Sequence, residues 1–217
     1  MRQFIAASLL FLASDLIKEK KLLQFLAVCF LLMTIHYTAV LVIPMYWIAQ
    51  GKAFNRKTIL FMILVLTAVV FLEPFINILE NILEGTAYSG ATSQFVEDDG
   101  VNIIRVLVMA VPVLISFICR GLIDKENDSY INICVNMSIA CVSFYFLGVF
   151  TSGILIGRIP IYFEMYNLIL LPWLFNHCFT PNSRKLIYSI CTVCFFAFYY
   201  TQMASSYYIS ELTGLIQ

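Results

Sequence analysis

Gly157-Arg158-Ile159-Pro160-Ile161-Tyr162-Phe163-Glu164 stands between two apolar runs, residues 130–150 and 162–179. An arginine followed by a proline turn is costly at the edge of a bilayer, and a charge placed there is by default a functional candidate. Pro160 can open a helix, because its missing N–H falls where the first turn has no partner. On a helix begun there, Arg158, Tyr162 and Tyr166 share a face at four-residue spacing. The plainer reading is an interfacial anchor, an arginine snorkelling toward headgroups beside belt tyrosines. The position that topology gives this arginine tips the balance toward function.

The surrounding chain has the composition of a membrane protein. It is 61% apolar and 12% charged, with a mean hydropathy of +0.90, where a soluble domain carries roughly 25% charged residues. Residues 1–217 therefore read as a single, all-α transmembrane domain. The formal net charge is zero, which leaves no basic footprint for nucleic acid. The seven cysteines sit in or at the ends of apolar runs and read as small packing residues, not a disulfide framework. Cys191 and Cys194 have a redox spacing but no partner motif, so neither metal nor cofactor is expected. Met1-Arg2-Gln3 and the charge cluster after the first run do not form a cleavable leader.

Seven apolar runs are visible, at 4–17, 22–49, 58–79, 101–119, 130–150, 162–179 and 186–204. The first spans about 21 Å as a helix, short of a hydrocarbon core of roughly 30 Å. The second is about 42 Å long and carries Thr34-Ile35-His36-Tyr37-Thr38 and then Pro44, so it tilts or breaks near His36. Pro172 is expected to break the sixth. The count is therefore about 6–8 transmembrane or half-membrane helices. Lys and Arg gather in cytoplasmic loops. Loops 51–57, 120–128 and 181–185 carry seven of them and are separated by two crossings each. One assignment puts all three inside and turns the acidic 80–100 loop and the 151–162 turn outward. It leaves Arg105 and Arg158 on the disfavoured side, where two guanidinium forks suit an anion such as phosphate. Pairing with Glu97, Asp98 or Asp99 is the plainer role for Arg105. The Lys18–Lys21 cluster is inside only if the second run turns back on itself.

Several short motifs occur in a telling order. Arg2-Gln3-x-Ile5-Ala6 heads a short helix and a lysine cluster follows. Ile35-His36-Tyr37-Thr38-Ala39, Val101-Asn102-Ile103-Ile104-Arg105, Gly157-Arg158-x-x-x-Tyr162-Phe163 and Leu170-Leu171-Pro172 come after. This order resembles the EpsG-like branch of Wzy-type polysaccharide polymerases. The resemblance covers most of the chain and implies a GT-C-like, polytopic integral membrane glycosyltransferase. Such an enzyme joins undecaprenyl-diphosphate-linked repeat units at the outer face of the bacterial inner membrane. It implies membrane lipid, a chain-length regulator and a flippase as partners. Members usually carry further helices ahead of the Arg-Gln motif, so the chain reads as the C-terminal part of a longer member.

In that chemistry the leaving group is a diphosphate, which needs charge stabilisation more than protonation. Arg158 and Arg105 are the candidates, with Arg2 a third. A base for the acceptor hydroxyl would be Glu164, His36, or one of Glu97, Asp98 and Asp99. Asp98 and Asp99 are also candidates for substrate binding, and Tyr162 and Tyr166 for stacking on sugars. Each has a plainer role: His36 as a satisfied polar residue at a helix break, Glu164 as a partner of Arg158, the acidic run as a solvated loop, the tyrosines as an interfacial belt. The alternative function is a non-catalytic or transport-type protein, such as a flippase subunit, whose outward arginines bind lipid phosphate. No inverted repeat favours a transporter. A membrane acyltransferase would want a nucleophile–base arrangement that His36 and His177 do not provide.

Overall fold

The computed structural model describes residues 2–72, 74, 100–151 and 156–205. Among these every regular element is helical. The chain divides into two compact units, 1–172 and 173–217.

The spine of the first unit is α8 (Ser129–Val149); the elements before it are α1 (Arg2–Leu12), α2 (Asp15–Lys18), α3 (Leu22–Met33), α4 (Met45–Ile48), α5 (Arg56–Val70), α6 (Ile103–Ile118) and α7 (Arg120–Glu126). Its start is written in Asn127-Asp128. Asn127 takes the left-handed conformation, φ +48°, that ends α7. The Asp128 carboxylate then accepts from the backbone N–H groups of Tyr130 and Ile131, supplying partners that the first turn lacks. Asn55 and Asn102 cap α5 and α6 in the same way. Apolar residues surround α8 on every side, and most of them are buried, as a helix without a polar face requires.

The polar residues of α8 fix which end of each neighbour lies where. Asn132 and Asn136 are buried one turn apart. The Asn132 carbonyl accepts from Ala53 N, and the Asn136 carbonyl from Phe54 N, each at 3.0 Å; the Asn136 amide donates to Ala49 O at 3.0 Å and Lys52 O at 3.1 Å. The 49–54 turn is thereby tied to the first turns of α8. Ser14 and Tyr130 share a hydrogen bond of 2.9 Å, and the Lys18 ammonium lies 5.9 Å from the Tyr130 ring centroid. The lysine cluster and the basic 51–57 turn therefore sit at one end. About 22 Å along α8, Tyr145 meets Glu164, and Val101 N donates to Gly148 O.

The second apolar run does turn back on itself. α3 rises to Thr34–His36, the chain passes through a 3-10 turn (Tyr37–Val42), and α4 returns it to the tied turn. Half-length passages of this kind also form α1 and α2, which separate at Ala13-Ser14 and do not make one helix of 4–17.

Three other boundaries differ from expectation. Residues 120–126 of the charged loop are helical, as α7. Pro160 opens only a four-residue helix, α9 (Ile161–Glu164), and the chain bends at Met165-Tyr166 before α10 (Asn167–Cys178) begins. Pro172 lies inside α10 and does not break it. The shared face of Arg158, Tyr162 and Tyr166 consequently does not form: Arg158 is exposed, and both tyrosines are fully buried.

In the second unit, α11 (Pro181–Ser205) opens on a proline, and its first turn takes in the basic 181–185 segment. Trp173 stacks on His177 at 4.4 Å, and Phe175 meets Tyr188 edge-on at 5.1 Å.

Large apolar side chains face outward along the first unit, among them Leu12, Leu23, Leu60, Leu64, Phe117 and Ile118. Such a surface suits lipid as its solvent and not water. Among the described residues, α8 alone is long and apolar enough to cross a membrane by itself. α6 and α7 meet that test together but bend by 68°.

Two measurements check this arrangement. Removing the amide in Asn136→Ala strips partners from three backbone groups, the buried Ala49 carbonyl among them, and stability is expected to fall by about 3 kcal/mol, read as an earlier thermal transition in detergent. In membranes, with exposed Cys194 replaced by serine, Lys20→Cys and Lys52→Cys should react with an impermeant maleimide from the same side, and Tyr37→Cys from the other.

Candidate functional site

At the Tyr145 end, away from the lysines, a cavity of about 750 Å³ opens between the start of α1, the His36 break and the 156–158 turn. Its lining includes Arg2, Gln3, Thr34, His36, Tyr37 and Arg158, with no carboxylate among the described residues. Gln3 closes its floor: the side-chain amide donates to Arg158 O at 2.6 Å. Both guanidinium-bearing residues are exposed to the cavity side of the surface, and neither has an ion-pair partner among the described residues.

Two glycines set the 156–158 turn in place. A Cβ on Gly157 would lie 2.6 Å from Val101 Cγ2, and one on Gly148 2.7 Å from the same atom. Real Cβ atoms essentially never approach that closely, so Val101 fills a notch that only glycines leave open. Gly100, at φ +65°, packs against the backbone of residues 148–151.

His36 borders the cavity and carries an internal chain of polar groups. Its Nδ1 is 2.6 Å from Thr38 Oγ1, which is 3.0 Å from the Tyr162 hydroxyl; that hydroxyl is also 3.4 Å from Nδ1. The imidazole stacks on Tyr37, with centroids 5.4 Å apart. His36 is thus the satisfied polar residue at a helix break and a cavity residue at once.

Arg105 and Glu164 form a second group. The buried Tyr145 hydroxyl donates to a Glu164 carboxylate oxygen, and the Arg105 guanidinium carbon lies 5.8 Å from the Tyr145 ring centroid. The charges of Arg105 and Glu164 also act on each other. Glu164 therefore answers to Arg105 through Tyr145 and does not pair with Arg158. Neither borders the cavity.

Arg2, His36 and Arg158 thus come together, and Tyr162 stands behind His36. Tyr166 is packed edge-on against Phe11 at 5.2 Å in the interior. Asp98 and Asp99 lie outside the described residues, as does Glu97. Thr38 entered the sequence reading only as part of a motif, and Tyr145 not at all. Tyr145 is one ring in Ser143-Phe144-Tyr145-Phe146, and nothing local marks its hydroxyl.

Tyr145→Phe should cost about 2 kcal/mol of stability, as loss of a hydrogen bond to a charged group does. Thermal unfolding with and without Glu164→Gln checks it; the two losses should not add.

The sequence matches the model of the EpsG family over residues 1–213. No curated protein and no solved structure matches the chain. The match covers essentially the whole chain: this is a membrane protein of polysaccharide biosynthesis and a member of the EpsG family, a Wzy-like polymerase family.

Proposed function

We propose that the protein is a glycosyltransferase that joins undecaprenyl-diphosphate-linked oligosaccharide units at the outer face of the bacterial inner membrane. The observation that carries this reading is the cavity that brings together two guanidinium-bearing residues, Arg2 and Arg158. The growing glycan leaves a lipid diphosphate as its anomeric C–O bond breaks, and negative charge builds on the phosphate oxygens. Fixed cations in a cleft of low dielectric stabilise that charge without reorganising, and the planar fork of arginine binds phosphate oxygens in pairs.

Sidedness supports the reading. Lys18, Lys20, Lys21, Lys52, Arg56 and Lys57 belong to the end opposite the cavity, which the distribution of basic residues marks as cytoplasmic. With short and bent helices counted as passages, the chain is a multi-pass protein of about 6–8 transmembrane or half-membrane helices. A GT-C-like relation, a flippase and a chain-length regulator as partners belong to the same proposal.

One observation favours a second reading. Glu164 is engaged with Tyr145, so among the described residues the cavity lining holds no carboxylate base. A non-catalytic or transport-type protein that only holds the lipid-linked glycan needs none.

The test is polymer length on a gel, in a host whose own polymerase is deleted, with a blot for membrane level. The wild-type chain should restore long chains. Arg158→Ala or Arg2→Ala should leave mostly single units, with turnover down on the order of 10²-fold, and Arg158→Lys should fall between. Long chains from Arg158→Ala at equal protein level would remove this cavity from the reaction.

A further inference from the structure

The hydrogens of the His36–Thr38–Tyr162 group can be counted. Tyr162 is fully buried, and its hydroxyl reaches two polar atoms, Thr38 Oγ1 and His36 Nδ1. Thr38 Oγ1 reaches the same hydroxyl and the same nitrogen. Among the described residues neither hydroxyl has another side-chain partner. A neutral imidazole carries its hydrogen on one nitrogen and a lone pair on the other.

If Nδ1 holds the hydrogen, three hydrogens meet with two oxygens to accept them, and one hydroxyl hydrogen has no acceptor among the described residues. If Nδ1 is bare, both hydroxyl hydrogens are placed. Tyr162 donates to Thr38 and Thr38 donates to Nδ1, or the chain runs the other way and Tyr162 donates to Nδ1. Either direction leaves the ring hydrogen on Nε2. Thr38 and His36 are half-exposed and Tyr162 is buried, and the bare-Nδ1 arrangement is the one that places every hydroxyl hydrogen inside the group. The ring borders the cavity that also holds Arg2 and Arg158.

We propose that Thr38 and Tyr162 hold His36 as the neutral Nε2–H tautomer, which donates a hydrogen bond to a phosphate oxygen of the anion bound between Arg2 and Arg158. In this role His36 is a third donor to the anion and not the base that takes a proton from the acceptor sugar. Thr38 and Tyr162 are positioning residues. The proposal rests on the anion-site reading of the cavity given above, but it does not require turnover.

Two histidines make the test tractable. His177→Gln protein with ¹⁵N-labelled histidine, in nanodiscs, reports His36 alone. Two-bond ¹⁵N–¹H correlations show which ring nitrogen carries the hydrogen. The expected result is hydrogen on Nε2 and a shift of that N–H on adding inorganic pyrophosphate or a polyprenyl diphosphate. A shift with the lipid alone assigns a headgroup ligand, and one with pyrophosphate alone assigns a free anion. A shift with neither overturns the proposal, as does hydrogen on Nδ1 in the wild-type ring. Thr38→Val should move hydrogen toward Nδ1 and weaken anion binding about tenfold, and Thr38→Ser should restore both.

Gln and Asn separate donor from base. His36→Gln keeps an N–H donor near the Nε2 position and should retain more anion affinity than His36→Asn. His36→Asn should lose about tenfold in affinity. Normal anion affinity with no polymer in His36→Gln would overturn the donor role in favour of a base. An Nε2–H that answers to pyrophosphate in a chain that never polymerises would leave this proposal standing and remove the polymerase reading.

Discussion

The side-chain amide of Gln3 joins the two ends of the candidate site. It donates to the carbonyl of Arg158 across 155 positions of sequence. Through that bond the first turn of α1 and the glycine-bounded turn before α9 become one wall. Arg2 and Arg158 are neighbours because their flanking backbone is fastened, not because their side chains attract. Two like charges repel. Bringing them together needs an uncharged tie of this kind, and the field they create is then available to a ligand.

The polar groups of the fold are distributed by depth. At the lysine end, asparagine amides on α8 hold a backbone turn. At the cavity end, a hydroxyl and a carboxylate hold a guanidinium. The middle of α8 is apolar apart from small hydroxyls, such as Ser143, which donates back to Ile139 O at 2.8 Å. In a lipid environment, where dispersion and hydrogen bonds replace the hydrophobic effect as the force between helices, this concentrates orientation at the two ends. Short passages such as α1 and α3 then stay in register without the length to cross a bilayer alone.

Much of this was legible in the residues. The membrane class followed from composition. The break at His36 followed from a polar pentapeptide and Pro44 in an overlong run. The placing of Lys18–Lys21 followed once that break was a reversal. Arg2, His36 and Arg158 were each singled out, but their meeting was not, because Gln3 to Arg158 is a contact that no local period encodes. The Arg158–Tyr162–Tyr166 face failed for a related reason. Helical spacing assumes a continuous helix, and the chain passes through a turn at Met165-Tyr166 that no breaker residue marks. Glu164 went to Tyr145 because a buried hydroxyl on the neighbouring helix was nearer than an exposed arginine.

Val101 has a consequence for sequence variation. Its side chain is shared by two glycines on different segments, so positions 101, 148 and 157 draw on one common volume. A larger residue at 148 or 157 can be accommodated only as the residue at 101 shrinks. Substitutions there should be accepted in pairs, and singly only where the chain can shift. Because Gly157 adjoins Arg158, the size of one aliphatic side chain bears on where the turn that carries Arg158 lies against the end of α8.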